Sequence, residues 1–152
     1  MEYLKFYKLD EEPFRNDPNP GAYYQGQDLE RVRMRVLRVV EQRKDLCTIV
    51  GESGAGKTAL ARHLLEELAA RSSEVRLLQV PHADCDAGWL RRRVAHAFGV
   101  AEPAREPLRV LAQIYEKFMA FEEEGKLPLL LIDDAQLLLL EDARAELRGL
   151  LS

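Results

Sequence analysis

A chain of 152 residues, 47% hydrophobic and 32% charged, has the length of one domain and the composition of an ordinary globular core. Net charge is −4, and no third of the chain is strongly basic (nine charges of each sign in 1–45, seven basic and six acidic in 46–100, six and eleven in 101–152), which argues against a general nucleic-acid binder. No apolar stretch is long enough to span a bilayer, Met1–Lys5 lacks a secretory signal's apolar core, and two cysteines, Cys47 and Cys85, make no disulfide framework, so reduced thiols and a cytoplasmic location are expected.

Residues 1–27 gather Tyr3, Phe6, Tyr7, Pro13, Phe14, Pro18, Pro20, Tyr23 and Tyr24. The prolines forbid one continuous helix and the aromatics argue against disorder, so an extended arm packed on the core is predicted. Asp28 to Lys44 reads as an amphipathic helix, with Leu29, Val32, Val36 and Val40 on one face and Arg31, Arg35 and Arg38 on the other. Leu46-Cys47-Thr48-Ile49-Val50 is short, apolar and rich in β-branched residues, the pattern of a buried parallel strand.

The octapeptide Gly51-Glu52-Ser53-Gly54-Ala55-Gly56-Lys57-Thr58 follows, matching G-x-x-x-x-G-K-[ST]. A helix over 57–70 follows in turn, with Leu60, Leu64, Leu65 and Leu68 at helical spacing. Glycines let a backbone wrap closely around an anion through φ values that side chains disfavour. Successive N–H groups and the helix N-terminus then point at phosphate oxygens. Lys57 would reach the β- and γ-phosphates, and the Thr58 hydroxyl would hold Mg²⁺. The motif predicts binding of a nucleoside triphosphate, with a flexible glycine-rich turn as the weaker alternative.

Val75–Val80 reads as a second strand ended by Pro81. Helices are predicted over about 87–98 and 107–124, then a strand over 128–132 and a helix near 141–151. Strands alternating with helices indicate a parallel α/β sheet. His82-Ala83-Asp84-Cys85-Asp86 reads as a turn with an Asp capping the next helix rather than a metal cluster. Trp89, with Leu90, Val94 and Phe98, reads as packing, and His63 and His96 lie on helices without catalytic partners. Arg91-Arg92-Arg93 and the α-helical arginines at 31, 35 and 38 fit solvated faces or subunit contacts better than a nucleic-acid patch. Glu122-Glu123-Glu124 before Gly125 reads as a solvated helix end.

The run Leu127-Pro128-Leu129-Leu130-Leu131-Ile132-Asp133-Asp134 carries an apolar strand into two carboxylates. Behind a phosphate loop this resembles Walker B, with Asp133 on the Mg²⁺ shell. The alternative is a strand followed by an acidic helix cap. Asp134 suits a catalytic base that orients the attacking water.

The arm Tyr3-Leu4-Lys5-Phe6-Tyr7-Lys8-Leu9, then Glu12-Pro13-Phe14, Pro18-Asn19-Pro20 and Tyr24, resembles the N-terminus of the bacterial general-secretion-pathway A-type AAA ATPases, relatives of the ATPase subunits of transposition systems. Gly51–Thr58 and Asp133-Asp134-Ala135-Gln136 match that family's later motifs. The resemblance implies a P-loop NTPase core of the AAA (ASCE) type, a three-layer α/β/α sandwich around a parallel sheet. It also implies ATP and Mg²⁺ as ligands and a homo-oligomeric ring. Asp134 stands where the family usually has Glu, one methylene longer, and Leu29 stands near where many members carry His.

Family members continue beyond a Walker B helix with further strands, a sensor residue, an arginine finger and a lid. Many then add a membrane span and a peptidoglycan-binding domain. The chain is therefore expected to be an arm (1–27) and an incomplete core (28–152), with inner-membrane association only through sequence outside it. It is expected to bind ATP weakly, to hydrolyse it negligibly, and to be poorly stable or self-associating unless the further sequence is restored. The function implied is that of an ATP-hydrolysing motor or switch subunit with an envelope or secretion partner, Lys57 and Asp134 carrying the chemistry. A DNA-bound regulator of transposition type and a nucleotide-binding scaffold are the alternatives, distinguished by salt-dependent DNA binding and by turnover.

Overall fold

The computed structural model describes residues 2–9, 26–44, 46–71 and 73–150. Its elements in chain order are helix α1 (Glu2–Tyr7), α2 (Gln27–Glu41), α3 (Lys57–Ala69), strand β1 (Ser73–Gln79), α4 (Ala87–Ala97), α5 (Pro107–Glu123), strand β2 (Leu127–Asp133), a 3₁₀ turn (Ala135–Leu137) and α6 (Glu141–Gly149). The two strands pair in parallel, Ser73 opposite Leu127 through Gln79 opposite Asp133. The N–H of Val80 extends the ladder to the Asp133 carbonyl at 3.2 Å.

Strand side chains alternate between two faces, and each face meets helices. Val75, Leu129 and Leu131 pack with Val36 and Leu37 of α2 and with Leu60, Leu64 and Leu68 of α3. Leu78 and Leu130 pack on the opposite side with Leu90 and Val94 of α4 and Val110 and Ile114 of α5. Phe98 closes that second core, its ring edge-on to Phe118 at 4.8 Å. The fold is thus α/β with a small parallel sheet between helical layers. Trp89 is packing, as its spacing predicted, lodged between the second core and a smaller cluster around Val80, Cys85, Leu138 and Ala143.

Two ion pairs fasten helices to one another. Arg33 of α2 donates through Nη1 to both Glu67 oxygens on α3, at 2.7 and 2.8 Å, and through Nε and Nη2 to Glu30, at 2.7 and 2.6 Å. Arg91 of α4 holds Glu146 of α6 in the same bidentate way, at 2.7 and 2.8 Å. The Glu146 hydrogen bonds raise Arg91 above the usual arginine value. Asp86 caps α4, its carboxylate accepting the Trp89 N–H at 2.6 Å, which is the turn-and-cap reading of 82–86. Glu122, Glu123 and Glu124 are exposed. No metal-holding group of His, Cys, Asp and Glu occurs among the described residues.

Two expectations are corrected. Residues 46–50 are not a strand: the sheet of the described residues has two strands, and this segment pairs with neither. Ile49 packs into the α2–α3 core, but Leu46 is 64% exposed, Val50 88%, and Cys47 is exposed rather than buried. Apolar β-branched residues favour extended backbone, but a strand exists only where a neighbour supplies the ladder. Residues 2–7 are likewise helical rather than extended, closed by the Leu9 N–H on the Leu4 carbonyl at 2.9 Å, with Phe6 78% exposed. The first proline is Pro13, so nothing in 2–7 opposes a helix. The Pro-rich remainder of the arm, 10–25, lies outside the described residues.

Candidate functional site

Residues 51–56 form a turn whose glycines bend it: Gly54 has φ +79° and Gly56 +84°. The Ala55 N–H bonds the Glu52 carbonyl at 3.2 Å and closes the loop locally. α3 starts at Lys57 directly behind it, with Gly56 as N-cap and no side-chain cap. Among the described residues no side chain caps its first-turn N–H groups, and no acidic residue in that turn competes for an anion. The Lys57 ammonium folds back over the loop and donates to the carbonyls of Gly51 and Glu52, both at 2.8 Å.

β2 delivers the two carboxylates. Asp133, its last residue, is 8% exposed, and its Oδ1 accepts the Asp134 N–H at 3.1 Å. Oδ2 of Asp133 accepts from no described residue. A buried carboxylate oxygen without a protein donor is costly unless a cation completes it. Asp134 has φ 56° and ψ 33°, the left-handed region. That conformation ends the strand and starts the 3₁₀ turn, with the Leu137 N–H on the Asp134 carbonyl at 2.9 Å. Asp is one of the few residues other than glycine that adopt it readily.

A cleft of about 1100 Å³ joins the two halves. Gly51, Ser53, Gly54, Gly56, Lys57 and Thr58 line it together with Asp134, Ala135 and Gln136. Glu52, Ala55 and the buried Asp133 do not line it; Asp133 lies one residue behind Asp134. Arg62, His63 and Glu66 of α3 also line the cleft, and the motif reading missed them. Their signal was present, since Arg62 and Glu66 follow Thr58 at four-residue steps along one helix face. The motif Asp133-Asp134-Ala135-Gln136 gives Gln136 no role of its own, yet its amide Nε2 donates to Asp134 Oδ1 at 2.9 Å.

A helix N-terminus without a side-chain cap, beside a lysine, thus shares one cleft with Asp134, the residue that follows the buried Asp133 at the end of β2. A family model described as an AAA domain matches residues 40–152, and the chain belongs to that family, which carries the P-loop NTPase fold and implies a nucleotide with, typically, Mg²⁺. The chain is also similar to General secretion pathway protein A of Aeromonas hydrophila, 26% identical over 138 residues that cover 90% of this chain and 25% of that protein. It spans about a quarter of the length of the curated relative it matches. No solved structure matches it. None of the described helices is long and apolar enough to cross a membrane.

Proposed function

We propose that this chain is the ATP-binding and ATP-hydrolysing AAA unit of a motor or switch that serves bacterial secretion or envelope machinery. The observation that carries the reading is the cleft that unites Lys57 and Thr58 with Asp134. The glycine-bent loop and the N-terminus of α3 receive the phosphates through backbone N–H groups. Lys57, which in this structure satisfies its ammonium with two loop carbonyls, transfers those hydrogen bonds to phosphate oxygens. Asp133 and Thr58 are the residues that would hold Mg²⁺, which when bound neutralises charge on the β- and γ-phosphates.

Asp134 acts as the base that orients the attacking water and receives its proton. Secretion as the setting is supported by the similarity to the General secretion pathway protein A over 90% of this chain. The family resemblance supports assembly into a homo-oligomeric ring and an envelope or secretion partner as parts of this reading. The test is hydrolysis of radiolabelled ATP by wild type and Asp134→Asn. Turnover in wild type that Asp134→Asn loses while ATP affinity persists supports the reading; an Asn variant with undiminished turnover places the base elsewhere.

A further inference from the structure

The backbone of Asp134 is fixed on both sides. Its N–H is held by Asp133 Oδ1 at 3.1 Å, and its carbonyl accepts from Leu137 at 2.9 Å. Neither bond determines where the carboxylate points, because χ1 and χ2 remain to be set. Among the described residues one side chain sets them: Gln136, whose Nε2 lies 2.9 Å from Oδ1. A carboxylate only accepts and an amide has a donor end, so the nitrogen must face Asp134. Both side chains line the cleft that holds Lys57 and Thr58.

We propose that Gln136 is a positioning residue that holds Oδ1 of Asp134 and thereby presents Oδ2 to the attacking water. The inference rests on the ATP-hydrolysing reading above and deepens it. Gln136 is exposed, so core packing gives no reason for it to be there. An exposed hydrogen bond between residues two apart contributes little to folding, because water replaces it readily. Its effect is on direction. A reacting group misplaced by an ångström loses much of its rate while ground-state binding stays intact.

The experiment is single-turnover hydrolysis of radiolabelled ATP with protein in excess, paired with calorimetric ATP affinity and a circular-dichroism check of folding. Gln136→Ala is expected to slow hydrolysis about 10- to 100-fold while ATP affinity changes less than about twofold. Gln136→Glu, the same size but unable to donate at neutral pH and repelled by Asp134, should lose at least as much. Gln136→Asn, which keeps a neutral amide donor one methylene shorter, should retain more of the rate than Gln136→Ala, and an Asn variant as slow as the Glu variant would count against the donor role. A Gln136→Ala protein with the wild-type rate, beside an inactive Asp134→Asn, overturns the positioning role alone. Parallel losses of rate and affinity in Gln136→Ala and Gln136→Glu overturn it too, since a general disturbance of the site would produce them. Undiminished turnover in Asp134→Asn overturns the role assigned to Asp134, and Gln136's with it.

Discussion

Leu29 lies against Gly56: its Cδ1 and Cδ2 stand 3.6 and 4.0 Å from the place a Cβ on the glycine would occupy. The first turn of α2 thus rests on the last glycine of the loop, and Arg33, one turn further along, fastens α2 to α3 through Glu67. The loop is braced from behind by the helix that precedes it and continued by the helix that follows.

Gly56→Ala separates two ways in which that glycine could matter. The space accepts a methyl at ordinary van der Waals distance from Leu29, but φ is +84°, where an L side chain is strained. The expected cost is therefore about 1–2 kcal/mol of stability, without a clash to relieve. Urea denaturation measures it; an unchanged midpoint would mean that the loop relaxes to another conformation at no cost.

Asp134→Glu tests the left-handed backbone at the second carboxylate. The family resemblance puts Glu here, whereas at φ 56° the shorter side chain, which bonds locally, is the better tolerated. The substitution is expected to cost about 1 kcal/mol of stability, while Asp134→Asn, equally at home in that region, costs little. Thermal melts of the two variants side by side decide it; equal melting temperatures would remove the conformational reason for Asp.

The Arg33 pair carries a pH dependence. Burial pushes the Glu67 carboxyl up, but the hydrogen bonds and charges of Arg33 and Arg71 outweigh it and hold the group below its ordinary range. The Arg33 hydrogen bond lowers Glu30 as well, and Arg33 itself is raised and stays charged. A carboxyl depressed in the folded state stabilises the fold above its unfolded pKa, about 4.3, and loses that contribution as pH falls through the folded value. Stability should decline as pH drops below about 5, and Glu67→Gln should flatten the decline while costing about 1 kcal/mol at neutral pH. Stability curves of both proteins that fall in parallel would show that Glu67 is not the group responsible.

Local pattern and tertiary pairing divide what could be read in advance. Val75–Val80 and 128–132 were legible as strands, because their apolar runs end in Pro81 and in two carboxylates; the structure moves their ends by one or two residues. The helix behind the loop was legible from Leu60, Leu64 and Leu68, all buried. Residues 46–50 were not, because their composition states a preference for extended backbone and cannot state whether a partner strand lies alongside. Gln136 was equally hidden: its bond to Asp134 depends on a left-handed φ that no periodicity reports. The contact of Leu29 with Gly56 joins positions far apart in sequence and is set by how α2 lies on the core.

The unpaired segment makes a prediction of its own. Among the described residues the backbone amides at 46–50 have no ladder partner, and they should exchange with solvent far faster than those of β1 and β2. Hydrogen exchange read by mass spectrometry checks this; protection at 46–50 equal to that of β2 would show that the segment pairs in solution.

The central claim is that Gly51–Thr58, with Lys57 folded over it, is a nucleotide phosphate site. Calorimetric titration of Mg²⁺–ATP into wild type and Lys57→Ala addresses it most directly. Charge-assisted hydrogen bonds from Lys57 should contribute roughly 1.5–3 kcal/mol, so the variant should bind about 10- to 150-fold more weakly, even if wild-type affinity is itself modest. Equal affinity in the two proteins, or no binding by either, would contradict the account.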